Sequence, residues 1–289
     1  MTERYLRATS LLLDDGPAID AFALAGPSGI VIATEELTLV GVGVALSLPL
    51  TGGLDDDLGI ASAQRRLAAI DTDDRVQRAG SGVLAFGSIP FDRSAPAALV
   101  VPELLYGRSA DGAEWLTLVT DGSGAVSSPG WRAELLARSS FPDGVTGAGP
   151  TTGPAGVRAG GPARGSTSLS IAPPSGALPS GALPSGALPS IPPPVITPLA
   201  SDRWFVDAVA RAVGDIRRGD LRKVVLARQI ELTFDSPIDI PGLLRRWRGV
   251  EPTATVFSMP VDGAQFVGAS PELLVARSGP TVRCRPLAG

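Results

Sequence analysis

Lysine occurs once in this chain, at Lys223 in the stretch L221-R-K-V-V-L-A-R228, and every other basic residue among the 25 is arginine. An arginine stays protonated under all ordinary conditions, whereas a lysine can give up its proton and act as a base. An unperturbed ammonium, with a pKa of about 10.4, is a poor base near neutrality. Lowering it by about three units takes about 4 kcal/mol of differential stabilisation. Burial beside Val225 and Ala227, with Arg222 or Arg228 near, has the sign that such a shift needs. The competing reading is a solvated surface lysine. The second candidate is Glu272 in G268-A-S-P-E-L-L274. Here the plain reading is a Ser-Pro turn whose glutamate opens the next element or meets an arginine. The chemical reading is a general acid. A helix starting at Glu272 would lower its pKa through the helix dipole, the wrong direction for an acid at neutral pH. The pattern V275-A-R-S-G-P-T-V-R-C-R285 reads instead as a strand hairpin, which avoids that difficulty.

Other chemistries are excluded by composition. The chain has no histidine, which removes Ser-His-Asp hydrolases, Cys-His proteases and His-ligated zinc. Acid–base work is left to carboxylates, Lys223, Tyr5, Tyr106 and Cys284. A single cysteine permits neither an intrachain disulfide nor a cysteine metal cluster, which fits a reducing cytoplasm. Cys284 shares a strand face with Val282 and is expected to be a small buried apolar residue. The net charge of −4 and pI of about 5.0, without a block of like charges, argue against nucleic acid as a partner. The longest apolar run, Leu37 to Leu50, is interrupted and too short to span a bilayer, and no signal-like apolar segment opens the chain. A soluble, cytoplasmic protein with no membrane partner is expected. The stretch G160-G-P-A-R-G-S-T167 has phosphate-loop glycine spacing, but it lacks the lysine and a preceding strand and reads as chance glycines.

The elements that must position Lys223 and Glu272 separate by composition. Residues 1–141 mix strand-like runs (Gly29–Ala33, Leu37–Leu46, Val83–Phe86, Trp115–Val119) with a helix expected near Gly59–Arg78. Residues 142–200 are rich in Pro, Gly, Ser and Ala and include PSGALPSGALPSGALPS from Pro174 to Ser190, which reads as a disordered linker. From residue 201, Asp202 is expected to cap a helix in which Phe205, Val209, Ala212, Val213 and Ile216 recur at three- and four-residue steps, with Gly219 as its stop. A strand is expected over Arg222–Phe234, a helix near Pro241–Trp247, strands at Ala254–Met259 and Gln265–Gly268, and the hairpin after them. The chain reaches Pro286-Leu-Ala-Gly289 directly after a strand.

Taken together, K223-V-V-L-A-R228, G268-A-S-P-E-L-L274 and Pro286-Leu-Ala-Gly289 resemble the chorismate-utilising enzymes: isochorismate synthase, salicylate synthase, anthranilate synthase component I and aminodeoxychorismate synthase. A85-F-G-S-I-P-F-D92 followed by L99-V-V-P-E103 resembles the N-terminal lobe of isochorismate synthases. The resemblance implies an α+β, antiparallel-sheet-rich chorismate-binding fold, incomplete at the C-terminus, with 1–141 as the N-terminal lobe and 201–289 as the first part of the chorismate-binding domain. It implies chorismate as substrate, magnesium as cofactor, Lys223 as general base on the attacking water and Glu272 as general acid on the C4 hydroxyl. Leu287, Ala288 and Gly289 are implied to line the substrate with their backbone. The family's magnesium ligands and carboxylate-gripping arginine are implied to lie outside this chain, so that 1–289 alone is expected to be inactive. Product use in menaquinone or siderophore synthesis and a monomeric state go with the same reading. Anthranilate synthases generally lack the base lysine, so Lys223 points to the isochorismate or salicylate branch. Salicylate synthase, which goes on to eliminate pyruvate, stays open as an alternative, as does a non-catalytic remnant.

Overall fold

The structure, a computed structural model, describes residues 5–92, 94–121, 130–139, 194–261 and 263–285. The expected linker, 142–200, therefore falls almost wholly outside the described residues, as do Leu287, Ala288 and Gly289. Two compact units emerge. One comprises residues 1–146 with 239–288, the other 147–238 with Gly289.

The first unit is built on an eight-stranded sheet. Its strands are β1 (Arg7–Leu12), β2 (Ile30–Ala33), β3 (Leu37–Val42), β5 (Asp71–Asp74), β7 (Leu104–Ser109), β8 (Glu114–Thr120), β11 (Thr255–Val261) and β12 (Ala264–Ser270). Their order is β12-β11-β2-β3-β7-β8-β1-β5, and every neighbour pairing is antiparallel except β1 with β5. Strand β11 pairs with β2 through Val256↔Ala33 and Ser258↔Val31. Residues on either side of the long Pro/Gly/Ser/Ala-rich stretch thus share one sheet.

Alternation along β8 explains why so many of its residues are apolar. Leu116 and Leu118 face one side, and Trp115 and Val119 the other, because consecutive strand side chains point oppositely. Both faces are covered. On one, helices α1 (Ala21–Ala25), α3 (Trp131–Ser139) and α5 (Ile240–Val250) lay Leu24, Leu135 and Leu244 over Val31, Val40, Leu116 and Val256. Burying a leucine as completely as Leu244 stabilises by about 2–3 kcal/mol. On the other, Phe86 packs with Ile30, Leu39, Leu105, Trp115 and Met259. At the β1 end, a two-stranded sheet of β4 (Leu46–Leu50) and β6 (Ala97–Val101) with helix α2 (Asp57–Ala68) covers Ala8 and Val119.

Three expectations for this unit are corrected. The run Leu37–Leu46 is cut at Gly43, whose φ of 74° suits glycine, so that β3 and β4 enter different sheets. The helix expected to Arg78 stops at Ala68, because 71–74 pairs in parallel with β1. Val83–Phe86 forms no strand; only Phe86 bridges to Val100.

In the second unit the described residues are β9 (Val195–Pro198), helix α4 (Asp202–Arg218), residues 219–229 and β10 (Ile230–Thr233). The cap of α4 is Ser201, whose Oγ accepts from Trp204 N at 3.1 Å, rather than Asp202. Asp202 is the first helical residue and accepts instead from the Arg228 guanidinium. Gly219, with φ 84°, stops the helix in the left-handed conformation as expected. The strand expected over Arg222–Phe234 shortens to Ile230–Thr233. Strand β9 is four residues long and pairs from Ile230↔Pro198 to Thr233↔Val195, so 222–229 has no paired strand among the described residues. The remaining elements, β13 (Leu273–Ser278) and β14 (Thr281–Arg285), form the expected hairpin in the first unit, turning at Gly279 with φ 56°.

Candidate functional site

Lys223 lies in the irregular segment after α4, where residues 221–229 are all exposed. The burial expected beside Val225 and Ala227 is not seen: Val225 is 81% exposed. The cause is the short pairing of β10, since a strand without a neighbour has nothing to press its apolar side chains against. Of the two nearby arginines, Arg228 is held by Asp202 and by the Phe205 ring, 5.6 Å from its guanidinium carbon. The segment is therefore tied to α4 at its far end through this ion pair.

Glu272 sits where β12 passes into β13. The Ser270 hydroxyl both accepts from Glu272 N and donates to the Glu272 carbonyl oxygen, each at 3.2 Å, which fixes the turn that Pro271 starts. No helix begins there, in keeping with the strand expectation. The hairpin that follows is anchored to the β2–β3 turn by Arg283, whose two terminal nitrogens reach the Glu36 carboxylate at 3.4 Å. Gln265 adds a second tie, donating to the Gly29 carbonyl at 2.9 Å and to Ser258 Oγ at 2.6 Å. Neither Arg283–Glu36 nor Gln265–Gly29 was legible beforehand, since each joins residues more than two hundred positions apart.

Lys223 and Glu272 thus belong to different compact units, and Leu287, Ala288 and Gly289 fall outside the described residues. Cys284 is exposed rather than buried, on a strand that among the described residues pairs with β13 alone. The Ile89–Asp92 segment is a surface turn in which Asp92 accepts from Ser94 N and Oγ, contacts that hold its pKa below the usual carboxylate range, while Phe91 is fully exposed. Among the described residues no three His, Cys, Asp or Glu side chains converge as metal ligands would, so these residues do not by themselves fit a magnesium ion. No helix among them is long and apolar enough to cross a membrane.

A largely buried polar cluster lies elsewhere. Tyr106 donates to Glu114 Oε1 at 2.5 Å, and the Arg132 guanidinium pairs with Glu114 Oε2 at 2.6 Å while donating to the Asp14 and Pro17 carbonyls. Burial, then the bond to Glu114, pushes the Tyr106 phenol well above its ordinary pKa. All donors point inward to backbone or carboxylate oxygens, so the cluster fixes α3 and the loop before α1 and leaves nothing to a ligand.

Residues 193–289 match the family model described as chorismate binding enzyme. The isochorismate synthase MenF of Bacillus subtilis is 43% identical over 91 residues, which is 32% of this chain and 19% of that protein. Anthranilate synthase component 1 of Streptomyces coelicolor is 41% identical over 87 residues, 29% of this chain and 16% of that protein. Among solved structures, the menaquinone-specific isochorismate synthase MenF of Escherichia coli aligns with a TM-score of 0.51 at 19% identity, over 93% of this chain and 51% of that one. The chain spans about half the length of that structure and a smaller share of the sequence relatives. Residues 193–289 thus resemble a segment of the chorismate-binding enzymes, and the α+β fold of the chain is like that of the isochorismate synthases.

Proposed function

We propose that this chain supplies the base-and-acid segment of an isochorismate synthase, the isomerase that converts chorismate to isochorismate. Lys223 Nζ takes a proton from a water that attacks C2 of the ring. Glu272 gives its proton to the C4 hydroxyl, which departs as water while the ring double bond shifts. One water enters and one leaves, so the product is an isomer. The two groups must start in opposite protonation states at one pH, amine neutral and carboxyl protonated. Leu287, Ala288 and Gly289 would approach the substrate with their backbone.

The observation that carries this reading is that one family match, 193–289, contains both Lys223 and Glu272, in a chain that otherwise uses arginine for every cation. Magnesium dependence belongs to the same reading, with the ligands outside the described residues, and no step above is routed through the metal. The burial that a neutral Lys223 requires has to come from polypeptide laid against 221–229.

The test is turnover of chorismate with magnesium by a protein that contains residues 1–289 together with the rest of the fold, followed by chromatography of the products. Isochorismate is expected. Lys223→Arg, which keeps the charge but not the ability to shed it, is expected to lose about 10²- to 10⁴-fold in rate. Near-normal rates for that variant overturn the base assignment. Salicylate appearing without an added lyase overturns the product assignment in favour of salicylate synthase. The same experiment on 1–289 alone is expected to give no turnover.

A further inference from the structure

We infer that Arg228 is a positioning residue for Lys223: through Asp202 and Phe205 it seats one face of the segment 221–229 on helix α4 and so sets Lys223 on the opposite face. The inference rests on the reading of Lys223 as the base and adds the residue that orients it.

The segment is tied to α4 at both ends. At its start, just after the Gly219 stop, the Asp215 carbonyl accepts from Asp220 N at 3.0 Å and from Leu221 N at 3.4 Å. At its end, Leu199 N donates to the Gln229 carbonyl at 3.1 Å, ahead of the first turn of the helix. There the Arg228 guanidinium also meets Asp202 and lies 5.6 Å from the centre of the Phe205 ring. From Asp215 back to Asp202 the helix measures about 20 Å. The chain from Leu221 to Gln229 reaches at most about 28 Å when fully extended. Little slack is left, so the segment returns along the helix in a near-extended form, although it has no strand partner among the described residues.

In an extended chain, successive side chains point to opposite sides. Exposure follows that alternation: Val224 is 40% exposed, Val225 81% and Leu226 36%. Val224, Leu226 and Arg228 form the inner face, and the contacts of Arg228 identify α4 as what that face lies on. Lys223 falls with Val225 and Ala227 on the outer face. The backbone ties lie at the ends and leave the twist between them open, and a one-residue slip would exchange the two faces. Arg228 supplies the choice, because Asp202 and Phe205 sit one turn apart on the same side of α4.

The role is one of placement rather than of charge. In an extended chain Arg228 stands about 16 Å from Lys223, twice the screening length of about 8 Å at physiological salt. Its charge is also matched by Asp202.

The test uses the only lysine as its reporter. A lysine-specific endoprotease has one target bond in this chain, after Lys223, and cuts it when the segment lifts off the helix. Arg228→Asp sets two carboxylates against each other and loses the ring contact. It is expected to be cut at least about 10-fold faster than the natural chain, with unchanged circular dichroism because Ser201 still caps α4. Asp202→Arg combined with Arg228→Asp reverses the pair and is expected to bring the rate back to within about 3-fold, whereas two independent structural losses would add. In the protein used for the turnover test above, Arg228→Asp is expected to lower kcat at least about 10-fold with KM changed less than about 3-fold, and the reversed pair to recover kcat. Equal cutting of the natural chain and Arg228→Asp overturns the inference. Faster cutting with an unchanged kcat overturns the link to the base. Turnover that survives Lys223→Arg sinks the base reading instead, and leaves the seating of 221–229 on α4 to stand on the cleavage result.

Discussion

Single residues in the sheet core fix its close approaches. Gly107 lies opposite Trp115 on β7 and β8, and a Cβ at Gly107 would stand 2.2 Å from the indole ring. Trp115 is fully buried, and its Nε1 donates to the Gly80 carbonyl at 3.2 Å. Gly107→Ala is therefore expected to cost about 1–3 kcal/mol by overpacking, and Trp115→Ala about 3–5 kcal/mol by cavity formation, both measured by urea denaturation. The Tyr106 phenol makes a second residue-scale prediction. Its pKa is raised in the fold, so the neutral form is favoured there, and the resulting stability is fully present below about pH 10. It is lost as pH rises beyond that point. Thermal unfolding between pH 8 and 11 should show this alkaline fall in the natural chain and a shallower one in Tyr106→Phe. Lys223 shows the opposite limit. Its identity as the only lysine was legible in the sequence, but its surroundings were not, because burial depends on a strand neighbour that no local pattern encodes.

Element ends were read well where the signal is chemical and poorly where it is not. Gly219 stops α4 because a left-handed residue closes a helix, and that is visible from residue type. The Ser201–Asp202 pair was ambiguous, since either side chain can cap. The structure gives the cap to Ser201 and leaves Asp202 for Arg228, a partner 26 positions away. Asp20 shows what such a cap contributes. One carboxylate oxygen accepts from Phe22 N and Ala23 N, each at 3.0 Å, and the other meets Arg245 of α5 at 2.9 Å. Asp20→Ala is expected to cost about 1–2 kcal/mol. Asp20→Asn keeps the cap and loses only a half-exposed ion pair, so it should cost less than about 1 kcal/mol. Equal losses in chemical denaturation would show that the ion pair, rather than the cap, carries the effect.

The whole molecule divides its stability unevenly. Nearly every fully buried residue is in the first unit, while in the described part of the second only Ala212 is buried. The apolar face of α4 shows the imbalance: Val209 is 39% exposed, Val213 38% and Ile216 40%. Amides of β7 and β8 should therefore exchange through global unfolding, and those of α4 through local opening at lower free energy, with a protection difference of at least 100-fold in native-state exchange. Comparable protection in α4 would mean that the second unit is covered in solution. Thermal unfolding should accordingly show more than one transition.

Residue types alone determined the chemistry available to this protein: no histidine, one lysine, one cysteine, and a glutamate in a Ser-Pro turn. They also determined the stop of α4 at Gly219, the β13–β14 hairpin and the alternating pattern of β8, because these depend on neighbours a few residues apart. Only the tertiary structure decided that β11 joins β2, that Arg283 reaches Glu36, and that 222–229 has no strand partner among the described residues. Pairing energies of that kind arise between segments far apart along the chain, and their sign depends on which segments are present to pair.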